Sequence, residues 1–315
     1  MFEIEDYRDE LELIFAEALE EIAALPAGLS ERGQELLALS HPLYNGGRAN
    51  VISYLLPYWL REQTHGPIEL YRDIAVGNIH AMLHFFLLDD AMDGSGENPD
   101  GVRGSLALSQ LLDELFKQRY RRHFPHDSTL WNCYRKYLGE WASAVYSESA
   151  KPMNPSDSGQ LARKAAPVKI CATGMMLHAG RPDRIPDVEE AVDLALAVLQ
   201  LSDDWADWRD DLPVSNCNAF LSIVRDLLSL RNEEVLDERS VRRAIYNRHA
   251  VDRLAEIAES YVGRLRRIPN TPDRLIAFAY AIAQSIRKNA LQVDESTQKL
   301  ALEGGFSNIL SKSRK

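Results

Sequence analysis

Aspartates in two short runs are the residues here whose type and spacing could do chemistry: Asp89-Asp90-Ala91-Met92-Asp93, and Asp203-Asp204-Trp205-Ala206-Asp207 continuing to Asp211. In a helix Asp203, Asp207 and Asp211 fall at i, i+4 and i+8, so their carboxylates stack along one face, and Asp89 and Asp93 do the same. Like charges at this spacing destabilise an isolated helix. Both runs also close apolar segments, just before the breakers Gly94-Ser95-Gly96 and Leu212-Pro213, where the helix dipole already disfavours anions. Local physics argues against both runs, and a bound cation offsets the cost. Hard carboxylate oxygens select magnesium, manganese or calcium over zinc or copper.

The surrounding chain reads as helix. From Asp6 to Leu25 the residues Leu11, Ile14, Phe15, Ala18, Leu19 and Ile22 recur at helical steps, ending at Pro26-Ala27-Gly28. A shorter helix runs from the candidate cap Ser30 to Leu39, and His41 to Gly47 forms a loop. Arg48 to Arg61 is apolar and interrupted by Pro57; Ile68 to Asp93 is one long helix that delivers the first acidic run. Gly94 to Gly104 is expected as a polar loop. Helices follow over Leu106–Arg122, Leu130–Ser147, Gln160–Ala179 and Val188–Asp211, with Lys151 to Gly159 as a hinge. Beyond Pro213 come Ala219–Leu230, Ser240–Arg267 with a break, and Pro272–Ala290. Strand alternation is rare and no Gly-rich nucleotide loop occurs, so the expected class is all-α. The expected architecture is a single-domain helical bundle over residues 1–315 around a central cavity, with 1–45 an N-terminal helical segment and 292–315 a frayed tail. The chain between the two runs is long enough for intervening helices to bring them face to face as one metal site.

The composition is that of a globular protein, with 36 Lys and Arg against 47 Asp and Glu and a net charge of −11. Such acidity disfavours general nucleic-acid binding and adherence to anionic membranes. Three cysteines, Cys133, Cys171 and Cys217, are widely spaced with no zinc or disulfide pattern. No stretch of about 18 apolar residues suits an integral membrane segment, and the acidic beginning of the chain lacks a signal pattern, so the expected location is cytoplasmic.

Asp89-Asp90-x-x-Asp93, followed much later by Gln200-x-x-Asp203-Asp204-x-x-Asp207, resembles the trans-isoprenyl diphosphate synthases and their terpene-cyclising relatives, the class I isoprenoid synthases. The order, helical setting and separation of the motifs match over roughly Gly46 to Asp211. The resemblance implies the isoprenoid-synthase fold, a homodimer, several Mg2+ ions with Mn2+ as a substitute, and a linear allylic prenyl diphosphate as substrate. It makes Asp89, Asp90, Asp93, Asp203 and Asp207 the catalytic carboxylates, with Asp204 and Asp211 completing the metal set. Arg48, Arg103, Lys169 and Arg209 are the candidates for gripping diphosphate oxygens, and Gln200 completes the second motif on the substrate side. Lys169 lies on the helix where the family carries a phosphate-binding lysine, although Ile170 replaces the usual threonine. Phe85, one turn before Asp89, is placed to limit the depth reached by a prenyl chain.

Departures from the family separate its subtypes. Elongating synthases carry Gly-Gly-Lys-Arg-x-Arg early and Arg-Arg-Gly after the first motif; here Gly46-Gly47-Arg48-Ala49-Asn50-Val51 and Val102-Arg103-Gly104 keep one base each. Each lost charge-assisted bond weakens a second diphosphate site by roughly 1.5 to 3 kcal/mol. The spacing of Asp203, Asp207 and Asp211 is that of the Asn, Ser and Glu metal triad of class I terpene synthases, matched in geometry and not in residue type. The expected activity is therefore Mg-dependent ionisation followed by cyclisation or rearrangement, a terpene synthase lyase reaction. The alternatives are a prenyltransferase condensing the substrate with isopentenyl diphosphate, and a non-catalytic subunit of such a synthase. His80 and His84 lack the Glu of a His-Glu-x-x-His site and read as buried, hydrogen-bonded histidines. Arg242, Arg243 and Tyr246 read as surface charge and core.

Overall fold

A computed structural model describes residues 4–44, 50–93, 99–147, 152–231 and 234–302; among them every regular element is helical, so the all-α class holds. The α-helices are α1 (Arg8–Ala23), α2 (Leu29–Leu39), α3 (Val51–Trp59), α4 (Arg61–Thr64), α5 (Ile68–Asp93), α6 (Pro99–Arg121) and α7 (Thr129–Tyr146). They continue with α8 (Ser158–Ala162), α9 (Lys169–His178), α10 (Ile185–Ala206), α11 (Ala219–Leu228), α12 (Glu238–Asn247), α13 (Ala250–Leu265) and α14 (Asp273–Leu302). No described helix is long and apolar enough to cross a membrane.

The residues group into two compact units: 1–138, 167–192 and 272–275 in the first, and 139–166, 193–271 and 276–315 in the second. In the first, α5 packs against α1, α3 and α6, and α2 packs on α1 and α6. Its burial explains this central place: Leu70, Tyr71, Ile74, Ala75, Ile79, Leu83 and Leu87 are all inaccessible to solvent or nearly so, and a helix apolar on most sides must be covered on most sides. The amphipathic stripe of α1 is buried at Leu11, Ile14, Phe15, Ala18 and Ile22, while Leu19 faces outward. Gly77 lets α6 approach α5, since a Cβ there would meet Arg119 Cβ at 3.2 Å and Tyr120 at 3.1 Å. In the second unit α11 packs against α12, α13 and the 3-10 turn Leu212–Cys217.

Pro57 sits inside α3 and removes the amide that would bond the Ser53 carbonyl. Asn78 of α5 takes over, donating from Nδ2 to Ser53 O at 2.7 Å while its Oδ1 accepts from the Tyr120 hydroxyl at 2.6 Å. One buried amide thus links α3, α5 and α6. Asn78→Ala strands a carbonyl and a hydroxyl and is expected to cost about 2 kcal/mol in urea unfolding, with Tyr120→Phe costing less because only one acceptor is stranded. Equal stability of Asn78→Ala and the parent would refute this account.

Several boundaries differ from the sequence reading, each for a visible reason. The loop expected through Gly104 is helical from Pro99: proline suits a first helical turn, and Arg32 of α2 supports it by donating to Gly101 O at 3.1 Å and Ser105 Oγ at 2.6 Å. The helix expected over Gln160–Ala179 breaks into α8, a 3-10 segment Arg163–Val168 containing Pro167, and α9. The break expected within Ser240–Arg267 does occur, at His249, which adopts a left-handed φ of 53°. The last helix runs through the stretch from Gln292 that was expected to fray, ending at Leu302; 303–315 lie outside the described residues.

Candidate functional site

Each unit carries one acidic run. In the first, α5 extends through Asp93, so the first run occupies its last turns with Asp89 and Asp90 exposed; the Asp93 side chain lies outside the description. Phe85 is half-buried and meets His84 edge-on, with ring centroids 4.7 Å apart. His84 is itself anchored, its Nδ1 lying 2.7 Å from Ser109 Oγ. His80 is fully buried, with Nε2 2.8 Å from Glu21. Both histidines are thus the buried, bonded kind expected from sequence. Arg103 is exposed in the first turns of α6. Lys169 opens α9, is 4% exposed and lies 5.2 Å from the centre of the Tyr137 ring, whose hydroxyl bonds Thr173 at 2.6 Å and also Glu189. Lys169 thus places a buried amine at the N-terminus of α9, beside the Tyr137 ring. Arg48 lies outside the described residues.

In the second unit α10 stops at Ala206, not at Asp211 as the sequence suggested. The ladder survives because the turns beyond keep the helical bonding: Asp207 N donates to Asp203 O at 2.9 Å and Asp211 N to Asp207 O at 3.0 Å. One-turn spacing therefore continues without a regular helix. Asp203 is open to solvent on one side, yet the surrounding protein and the Asp207 carboxylate push its pKa up to about 6. Asp207 is raised too, by the desolvation of its surroundings and by Asp211 and Asp210. Among the described residues, Asp203, Asp207 and Asp211 do not bring three ligand atoms within 4.8 Å of one another.

Asp204 faces elsewhere. It is 3% exposed, its Oδ1 accepts from Gln200 Nε2 at 2.7 Å, and its Oδ2 accepts from Ala219 N at 2.6 Å. Burial pushes it up to about 7, against those two hydrogen bonds and helped by Asp211. Gln200 is thus engaged with its own motif. Asn218 is fully buried and donates to both Asp204 O and Asp211 Oδ2 at 2.8 Å. Arg209, expected at the diphosphate, is exposed, stacks on the Trp208 ring at 4.9 Å and lies 3.5 Å from Glu238. Arg242 pairs with Glu238 on the surface, and Tyr246 is 40% exposed rather than core.

Two other features carry no signal in the sequence. His249, Asp252 and Asp294 bring ligand-capable atoms within 4.8 Å of one another in the second unit; His249 lies 3.5 and 3.4 Å from the two carboxylates, and Arg287 already pairs with Asp252 at 3.0 Å. An exposed ion-pair group accounts for this cluster. A cleft of about 430 Å³ in the first unit, lined by His123, Phe124, Asp127, Ser128, Leu177 and His178, contains none of the residues singled out from sequence. No protein-family model and no curated protein matches the chain, so the resemblance rests on the motif residues themselves.

Proposed function

We propose that this protein ionises a linear allylic prenyl diphosphate in a magnesium-dependent reaction and cyclises or rearranges the resulting cation. The observation that carries the reading is uncompensated charge: the electrostatic neighbours resolved for Asp203 and Asp207 among the described residues are other aspartates, and both pKa values are raised. Shifts of this kind concentrate at functional sites. The donor set is all carboxylate oxygen, which fits Mg2+, and a divalent ion would relieve the repulsion. Magnesium, when bound, supplies charge that stabilises the departing diphosphate.

In this reading Asp89, Asp90 and Asp93 of the first motif would hold metal, as would Asp203, Asp207 and Asp211 of the second. Arg48, Arg103 and Lys169 neutralise diphosphate oxygens as the carbon–oxygen bond breaks and the leaving group departs with the electron pair. The allylic cation left behind is attacked by a double bond of its own chain, and proton loss or water completes the reaction. Phe85, half-buried one turn before Asp89, bounds the prenyl chain. Arg209 is left out of this set because its guanidinium is engaged with Trp208 and Glu238.

The test is incubation with Mg2+ and allylic diphosphates of ten, fifteen and twenty carbons, with and without isopentenyl diphosphate. Cyclic or rearranged hydrocarbons or alcohols formed without isopentenyl diphosphate are expected. Asp203→Asn and Asp207→Asn are each expected to cut turnover at least about a hundredfold. Longer diphosphates formed only with isopentenyl diphosphate would make the chain a prenyltransferase. Absence of turnover, together with no rise in melting temperature from Mg2+ and pyrophosphate, would point to a non-catalytic subunit.

A further inference from the structure

We infer that Asn218 is a positioning residue that divides the second motif, presenting Asp211 as a metal ligand while Asp204 serves the fold. The inference rests on the magnesium reading above but concerns which carboxylates serve it. An asparagine side chain offers two N–H donors and a carbonyl acceptor, and here all are committed. Oδ1 accepts from Leu221 N at 2.9 Å and so caps the start of α11. One N–H reaches the Asp204 carbonyl, in the last turn of α10, where carbonyls lack helical partners. The other reaches Asp211 Oδ2. A single residue with no solvent exposure therefore closes one helix, opens the next and orients a carboxylate of the ladder.

Asp211 gains most from this arrangement. It lies beyond the end of α10, next to the 3-10 turn Leu212–Cys217, and its backbone is held to the ladder by the amide bond to Asp207 O. Asn218 fixes its side chain through one oxygen, and the other oxygen takes no hydrogen bond among the described residues. Second-sphere donors of this kind orient metal-binding carboxylates and affect affinity. Asp204 is the reverse case. Both of its oxygens accept hydrogen bonds, from Gln200 of α10 and Ala219 of α11, and its 3% exposure closes it to a hydrated cation. The adjacent Asp203-Asp204 pair thus splits into one residue on the ladder and one under it.

The experiment is Mn2+ binding to the full chain with inorganic pyrophosphate, followed by electron paramagnetic resonance and calorimetry; no allylic substrate is needed. Asn218→Ser keeps an oxygen able to cap α11 but is too short to reach Asp211. It is expected to weaken Mn2+ affinity about tenfold. Asp211→Asn should weaken it at least as much, and adding Asn218→Ser to Asp211→Asn should cause no further loss. Asp204→Asn, whose amide can keep its contacts if Gln200 flips, should leave the affinity within about twofold. Independent, multiplying losses from Asn218→Ser and Asp211→Asn would overturn the positioning role. Asp204→Asn as damaging as Asp211→Asn would overturn the division, and that comparison stands even if Asn218→Ser does not fold. A parent protein that binds no Mn2+ with pyrophosphate would remove the magnesium reading itself, a result distinct from either.

Discussion

Arg119→Ala is expected to destabilise the first unit by about 3 kcal/mol, with faster hydrogen exchange through α5 and α6. Arg119 is 6% exposed and holds three carboxylates on two helices: its Nε bonds Glu21 at 2.9 Å, and its Nη1 bonds Glu17 and Asp73, each at 2.7 Å. Asp73 is also bonded by Arg122 at 2.6 Å and His123 at 2.8 Å, and Glu21 by the buried His80. Removing one partner from such a network costs about 3–5 kcal/mol, because the charges left behind stay desolvated. Glu17 and Glu21 retain 34% and 24% exposure, so water compensates in part and the lower end applies. Arg119→Lys should recover only part of the loss, since one ammonium cannot reproduce the guanidinium's spread of donors. Burial works against the charge of Asp73, but hydrogen bonds from His123 and Arg119 and the charge of Arg122 outweigh it and hold the carboxyl at about 2. A depressed carboxyl contributes stability that is present above its unfolded value near 4 and is lost as pH falls through about 2. In Arg119→Ala that loss should move to higher pH. A variant with unchanged acid unfolding and unchanged exchange would show that the network contributes nothing to stability.

Helix α5 was legible in the sequence because its periodic apolar residues run unbroken from Ile68 to Asp93 and a breaker follows at once. The start of α6 was not, because Gly101 and Gly104 look like loop residues until Arg32, far away in sequence, is seen binding the Gly101 carbonyl. Helix α10 was read five residues too long for the opposite reason: Asp207 and Asp211 keep helical amide bonds after the regular helix has ended. The spacing of Asp203, Asp207 and Asp211 therefore pointed to a real ladder although the element carrying it was misjudged. Asp204 could not be separated from Asp203 in the same way. Identical residue types at adjacent positions carry no mark of burial, and what withdraws Asp204 is the amide of Ala219, brought back by the 3-10 turn. Asn218 was invisible for the same reason, since its partners are set by how that turn folds. The basic residues were the least legible: Lys169 and Arg209 are both plausible anion ligands by type, and only packing separates a buried helix-start lysine from a guanidinium stacked on Trp208.

Asp204→Asn is expected to make the protein more stable at high pH and to flatten its pH dependence, by at most about 4 kcal/mol. The Asp204 carboxyl is raised to about 7, chiefly by burial, although Ala219 and Gln200 donate to it. Its value in the unfolded chain lies near 4. A carboxyl raised by folding binds its proton more tightly in the native state, so its favourable contribution is complete below pH 4 and is lost as pH rises through about 7. Three pH units correspond to about 4 kcal/mol as a ceiling, which relaxation of the site and entry of water reduce. Asparagine cannot ionise and retains a carbonyl for Ala219, so the penalty at pH 8.5 disappears, whereas at pH 5, about one unit above the unfolded value, only about a third of it has developed. Urea unfolding in EDTA at these two values measures the effect as a difference between parent and variant. Asp203, raised to about 6, has the same sign of pH dependence but is present in both proteins and cancels to first order. Parallel pH dependences would mean that Asp204 is already solvated in the native state. A gap that opens above pH 4, is nearly complete by pH 7 in EDTA and is unaffected by saturating Mg2+ with pyrophosphate would mean that its ionisation strains the fold and metal does not relieve it, as expected of a carboxylate turned toward α11 and away from the ladder.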